Sequence, residues 1–178
     1  MIIGLSGYAR VGKDTAAEAL MKRGFVRVAF ADALKSDIRA TVSEALHVLF
    51  LGDAHVMRMR DYEKNKETYR PLLVEYGRAM RKLQPGYWIL RAALEAEKYP
   101  LVVVTDVRYA DEAEWIRGSG GLVIGIERPG YGPANDEEAD SFSKFSPDIV
   151  ISNTGSKSDL LQRVLEVADE WVKGQEKE

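Results

Sequence analysis

Cysteine is absent from this 178-residue chain, which excludes disulfides, thiolate zinc sites and a cysteine nucleophile, and suits a reducing compartment. Histidine is scarce. His47 falls in an apolar helical pattern and His55 in a polar stretch, neither with a partner at metal-ligand spacing, so both read as structural or exposed. No apolar run approaches the roughly 20 residues that span a bilayer, and no charged segment followed by a cleavable apolar stretch opens the chain. An excess of one charge is missing too. With 25 Lys and Arg against 28 Asp and Glu, and no basic run interleaved with aromatics, neither nucleic acid nor a membrane is an expected partner. A polyanionic ligand would have to be met by a local cluster of cations. What remains is the expectation of a cytoplasmic protein folded as a single domain over 1–178, with room for a small inserted lobe.

What is present begins with an apolar run, Ile2 to Leu5, that reads as a buried strand. Directly after it comes Gly7-Tyr-Ala-Arg-Val-Gly-Lys-Asp-Thr15, which meets the spacing G-x-x-x-x-G-K in full. Gly7 and Gly12 bracket a turn whose backbone N–H groups, with Ala9, Arg10 and Val11 between them, can point inward at phosphate oxygens. Lys13 adds a mobile positive charge, and the helix that follows starts with its positive dipole end at the anion. Asp14 stands where Ser or Thr usually holds magnesium, and Thr15 is the nearest hydroxyl. Strand before, helix after: the context favours a nucleotide site over a glycine turn that only connects strand to helix.

Strand and helix signals then alternate. Phe25 to Phe30 reads as a second strand, and Gly24 as the C-cap of the first helix. From Asp32 the period is helical through Leu34, Ile38, Val42, Leu46 and Leu49 until Gly52-Asp53, and residues 53–69 show no clear period. Pro71 suits the first turn of a helix carrying Leu72, Leu73, Tyr76, Met80 and Leu83, and Trp88 to Ala96 traces another. Leu101-Val-Val-Val-Thr105 is the clearest buried strand, closed by Asp106. A short helix, a strand over Leu122 to Ile126, a strand over Asp148 to Ser152 and a final amphipathic helix opened by Ser156-x-x-Asp159 complete the chain. Between the last two strands, residues 128–147 have little periodicity and read as a mobile lid, with Glu137-Glu138 a solvated loop pair.

These units predict an α/β fold: a three-layer sandwich of a five-stranded parallel sheet with helices on both faces, the core formed by 1–32 and 100–178 and a helical insertion by 33–99. Ligands of such sheets lie at the carboxyl ends of the strands. The cradle, Asp32 with Lys35, and Asp106 with Arg108 all fall there.

The cradle, Phe30-Ala-Asp-Ala-Leu-Lys35, the segment Arg70 to Gly77 with Arg81 and Trp88, Asp106-Val-Arg-Tyr109 with Glu112, and Asn153-Thr-Gly155 occur in an order that resembles the phage deoxynucleoside monophosphate kinases. That family is similar to dephospho-coenzyme A kinase and the wider nucleoside monophosphate kinases of the P-loop fold. The lid departs from the family by carrying Asp140-Ser-Phe-Ser143, and Arg occupies position 78. The resemblance implies phosphoryl transfer from ATP, with Mg2+, to a deoxynucleoside monophosphate, in the host cytoplasm if the chain is phage-encoded. It is compatible with a homodimer.

On that reading Lys13 and the cradle amides hold the β and γ phosphates, Thr15 sits near magnesium, and Asp106 orients a magnesium-bound water or a substrate group. Arg10, Lys35, Arg81 and Arg108 position the acceptor phosphate, with Asp32 and Arg70 beside them, and Arg128 neutralises charge during transfer. Asn153 to Gly155 frame the adenine. Tyr76 and Trp88 could line the acceptor-base pocket, although aromatics at helical spacing are more often core. Arg78, Lys82 and Arg91 receive no role, and Asp106 has a second reading as a helix cap. Two rival functions stay open: another small-molecule P-loop kinase, and a nucleotide-dependent switch or ATPase. Against the last, the Asn-Lys-x-Asp guanine signature is missing and no obvious water-activating Glu follows Asp106.

Overall fold

The computed structural model describes residues 1–38 and 66–175. The expected helical positions Val42, Leu46 and Leu49, the break at Gly52-Asp53, and both histidines lie outside them. Contacts divide the chain into two compact units, one of Met1–Ala29 with Ala93–Glu178 and one of Phe30–Ala92.

The first unit is built on five parallel strands: β1 (Ile2–Ser6), β2 (Val26–Val28), β3 (Val102–Val107), β4 (Leu122–Glu127) and β5 (Ile149–Ser152), in the order β2-β3-β1-β4-β5. Helices α1 (Lys13–Lys22), α5 (Ala110–Gly118), α6 (Asp136–Ser143) and α7 (Lys157–Gln175) belong to it. Strand β1 occupies the centre, so its residues alternate between two covered faces. Ile3 and Leu5 enter the core formed with Ala16 and Leu20 of α1 and with Val164 and Val167 of α7. Gly4 points the other way. There a Cβ would come within 2.5 Å of the Ile116 side chain of α5, so the missing side chain is what lets that helix approach the sheet. Helices therefore cover both faces, as the apolar pattern predicts.

The helices that follow β1 and β3, α1 and α5, pack on opposite faces of the sheet. Their loops diverge, and a crevice opens where they part, the switch point at which open α/β sheets bind ligands.

Several expectations change. Strand β3 runs two residues past Thr105, so Asp106 lies within the strand and the N-cap of α5 is Tyr109, which removes the helix-cap reading of Asp106. Phe30 is already helical, since α2 covers residues 30–38. The stretch 128–147 contains α6, whose Asn135 caps it by accepting from the Glu138 N–H at 2.9 Å. Short cap-initiated helices of polar composition carry little periodic signal. The expected cap of α7 is present: Asp159 accepts from the Ser156 N–H at 2.8 Å.

In the second unit α3 (Lys66–Leu83) starts before Pro71, which therefore sits inside the helix instead of in its first turn. Helix α4 (Tyr87–Ala96) supplies Tyr87 and Arg91, both bound to Asp37 of α2 at 2.5 Å. The Asp37 side chain is only 11% exposed, so this partly buried charge is matched by a cation and a hydroxyl. Trp88 is buried and donates its indole N–H to the Gly77 carbonyl at 3.2 Å, with Tyr76 edge-on beside it. It is a core residue, as its helical spacing favours.

Leu20 is fully buried in the core of the first unit. Leu20→Ala should cost about 2–5 kcal/mol, read as a lower urea midpoint with an unchanged m-value.

Candidate active site

Strand β1 ends at Ser6, hydrogen-bonded to neighbours on both sides, and the chain has to turn away at once. Gly7 makes the turn at φ 135°, where a Cβ would stand 2.3 Å from the Ile126 carbonyl oxygen. No other residue fits that space. Gly12, at φ 115°, closes the loop against Asn153 and Leu160, each 2.8 Å from where its Cβ would be. Arg10 is left-handed as well, at φ 65°, a conformation that costs a non-glycine residue roughly 1–2 kcal/mol. Strain of this size at a loop of this shape is characteristic of ligand-binding turns.

Lys13, the first residue of α1, folds back over the loop and donates to the carbonyls of Gly7 and Tyr8, both at 2.6 Å. Burial lowers its pKa below the ordinary lysine value, and the nearby Arg108 guanidinium lowers it further, while Asp14, Glu138 and Asp106 act in the opposite sense. A bound phosphate would add to the carboxylates' side and favour the charged amine. Asn153, just beyond β5, ties the far wall to the loop by donating from Nδ2 to the Val11 carbonyl at 2.8 Å. The side chain of Val11 itself is buried.

A cavity of about 350 Å³ lies over this loop, within the usual range of small-molecule sites of roughly 300–1,000 Å³. Its walls are Arg10, Gly12, Lys13, Asp14, Thr15, Arg128, Asn153, Gly155, Lys157 and Leu160. Arg10, Lys13, Arg128 and Lys157 stand against Asp14 alone, so the cavity is strongly cationic in a chain that is acidic as a whole. Leu160 gives it one apolar wall. A lining of this kind suits a polyphosphate carrying a less polar group.

Arg108 lies beyond the end of β3, on the other side of the crevice. Its backbone N–H and that of Tyr109 both donate to Oε2 of Glu112, at 2.8 and 3.2 Å. Glu112 is 2% exposed, a buried carboxylate satisfied by the turn it braces. From α6, Glu138 brings Oε1 to 3.8 Å from the Arg108 guanidinium. The expectation of a solvated Glu137-Glu138 pair therefore fails for Glu138, whose side chain is only 13% exposed. Phe142 of the same helix meets Tyr8 of the loop edge-on at 4.9 Å.

Most of the residues expected at the donor nucleotide thus converge. Arg10, Gly12, Lys13, Asp14, Thr15, Asn153 and Gly155 share the cavity, together with Arg128, whose guanidinium also lies 5.2 Å from the Tyr131 ring centre. Gly7 serves through its carbonyl and its turn, and Ala9 is exposed on the loop. Asp106 and Arg108 lie close enough to act on the charge of Lys13. Asp32, Lys35, Arg70, Tyr76, Arg81 and Trp88 belong to the second unit, where Asp32 and Lys35 face each other at 3.7 Å. Lys157 and Leu160 enter the description from the structure, while Glu112, a motif member in the sequence, and Glu138, expected to be solvated, gain their contacts there. Lys157, two places after Gly155 at a helix start, was the easiest of these to find from sequence.

Asp14 and Thr15 put hard oxygen donors in the cavity and Asp106 stands near Lys13, which suits magnesium. Among the described residues no group of three or more His, Cys, Asp or Glu is arranged to hold a metal. A magnesium ion would share its coordination with phosphates and water, its usual habit.

Gly7→Ala tests the loop directly. The added methyl group meets a backbone oxygen and an unfavourable φ, so stability should fall by about 1–3 kcal/mol in urea unfolding, with loss of nucleotide binding in calorimetry.

The chain is 27% identical to a protein of Acanthamoeba polyphaga mimivirus provisionally named deoxynucleotide monophosphate kinase, over 95% of this chain and 96% of that one. Dephospho-CoA kinase from Campylobacter jejuni superposes with a TM-score of 0.52 over 98% of both chains at 19% identity, a likeness of fold. Among the described residues no helix is long and apolar enough to cross a membrane. Residues 5–120, well over half of the chain, match the family model described as phosphomevalonate kinase. With a glycine-framed cradle, a lysine folded over it and a cationic cavity above, the chain belongs to this family of P-loop kinases and is a phosphotransferase.

Proposed function

We propose that this kinase transfers the γ-phosphoryl group of ATP to the phosphate of a deoxynucleoside monophosphate, giving ADP and a deoxynucleoside diphosphate. The observation that carries the reading is two cations beyond adjacent strands: Lys13 folded over the cradle that follows β1, and Arg108 just past the end of β3. One suits the donor phosphates and the other an acceptor that is itself an anion. The names of the mimivirus relative and of the family model both describe kinases whose acceptor already carries a phosphate.

Such an acceptor needs no general base. Its second pKa is around 6, so at neutral pH the attacking oxygen is already anionic. That oxygen forms a bond to the γ-phosphorus while the bond to the β,γ-bridging oxygen breaks, and the electron pair leaves with ADP. The protein's share is alignment and charge neutralisation. The cradle amides and Lys13 hold the β and γ phosphates, and Arg10 and Arg108 face the acceptor phosphate. Arg128, Asn153, Gly155 and Leu160 enclose the base end of ATP, and Arg128 is placed to neutralise charge as well. Magnesium, when bound through Asp14 or Thr15 with Asp106 behind, supplies Lewis-acid neutralisation of the phosphate oxygens. Asp32, Lys35, Arg70, Tyr76 and Arg81, which belong to the second unit, are assigned to the acceptor on the sequence resemblance, while the buried Trp88 stays a core residue. A second reading, favoured by the family model, is a phosphorylated small molecule other than a nucleotide as acceptor.

A coupled ADP-release assay with ATP and each of the four deoxynucleoside monophosphates separates these readings. Transfer to at least one is expected, and ATP hydrolysis with transfer to none rejects the proposal. Phosphomevalonate and dephospho-coenzyme A serve as rival acceptors. Lys13→Ala should lower kcat/KM by about 10²–10³, the scale of losing one transition-state charge contact. Arg81→Ala should instead raise the acceptor KM by roughly 10-fold or more, as expected for a charge-assisted bond. An equal loss in ATP binding would remove Arg81 from the acceptor side.

A further inference from the structure

We propose that Glu138 is a positioning residue for phosphoryl transfer, holding the Arg108 guanidinium beside Lys13 from the lid helix. The proposal deepens the function above and rests on it.

Three consecutive acidic residues open α6, and they are not alike. Asp136 and Glu137 are exposed, whereas Glu138 turns inward. Its carboxylate is fixed at its own helix end, because Oε2 accepts from the Ala134 N–H at 2.7 Å and the Glu138 N–H donates to Asn135 at 2.9 Å. With one oxygen anchored in this way, the other is aimed, and it is aimed at Arg108. The base of the Arg108 side chain is fixed independently by the buried Glu112 under its amide. Arg108 is thus held at its root by α5 and at its tip by α6. Helix α6 is itself docked on the cradle by the Tyr8–Phe142 contact, so the carboxylate is carried on an element that touches the phosphate loop.

The physical need is evident from the charges. Arg108 and Lys13 repel one another, and Lys13 already sits where burial disfavours its charge. Left alone, the guanidinium would swing out into solvent, since its side chain is 52% exposed. A carboxylate at its tip restrains that motion and offsets the repulsion without blocking the remaining N–H donors. The ion pair is too open to matter much for stability, because half-exposed pairs contribute only about 0–1 kcal/mol. Its value lies in where it leaves the arginine.

Glu138→Gln separates the two roles of this side chain. The amide oxygen can still accept from Ala134, so the helix cap survives, while the charge facing Arg108 is lost. The variant should melt within a few degrees of wild type and lose roughly 10-fold in kcat with little change in KM for ATP. Arg108→Ala should lose more, and adding Glu138→Gln to it should cost nothing further. Unchanged kcat in Glu138→Gln, a gain in activity, or losses that add fully in the double variant would each overturn the proposal. If wild type phosphorylates no deoxynucleoside monophosphate, it is the function reading that falls. The same cycle is then measured on acceptor-independent ATP hydrolysis, with the same criteria.

Discussion

The central position of β1 is the constraint from which the site follows. A strand bonded on both edges and covered on both faces has no freedom at its end, and its continuation must leave the sheet within a residue or two. At that point the Ile126 carbonyl of β4 occupies the room a side chain would need, so only glycine can begin the turn. The turn carries the chain into α1, whose first residue is Lys13. Parallel pairing, a backbone clash and a helix start together deliver an amine onto the carbonyls of Gly7 and Tyr8. The sheet is not a platform to which a site was added; the site is what happens to the chain when the middle strand stops.

Energy is divided accordingly. The ion pairs of Arg23 with Asp169, Lys144 with Asp140 and Arg163 with Glu166 are around half exposed and contribute little apiece. Stability comes from the apolar layer of Ile3, Leu5, Leu20, Val103, Ile124 and Val164, all buried without a polar atom. Arg10, Arg128 and Lys157 are concentrated around one cavity although the chain carries more acid than base.

The sheet was legible because its strands are short runs of β-branched and aliphatic residues between glycine and acidic stops, and the cradle because its spacing is stereochemically demanding. Asp106 was misplaced by two residues of strand, since nothing in Thr105-Asp106-Val107 marks where pairing with β1 ends. Helix α6 leaves little trace in the sequence for a different reason. Asn135 to Ser143 is polar nearly throughout, and its register depends on a cap and on one phenylalanine meeting Tyr8 from the far end of the chain. Glu138 could not be distinguished from Glu137 by composition, because only the direction of a capped helix separates them. The acceptor is illegible in the same sense: the P-loop fold is common to kinases of many small molecules, and choice among them resides in side-chain shape.

Lys13 rests on two carbonyl oxygens, each such bond to a charged donor being worth about 1.5–3 kcal/mol. A ligand that draws the amine away must replace both. A chain of linked phosphates carries enough negative oxygens to do so and to meet the cations that line the cavity as well.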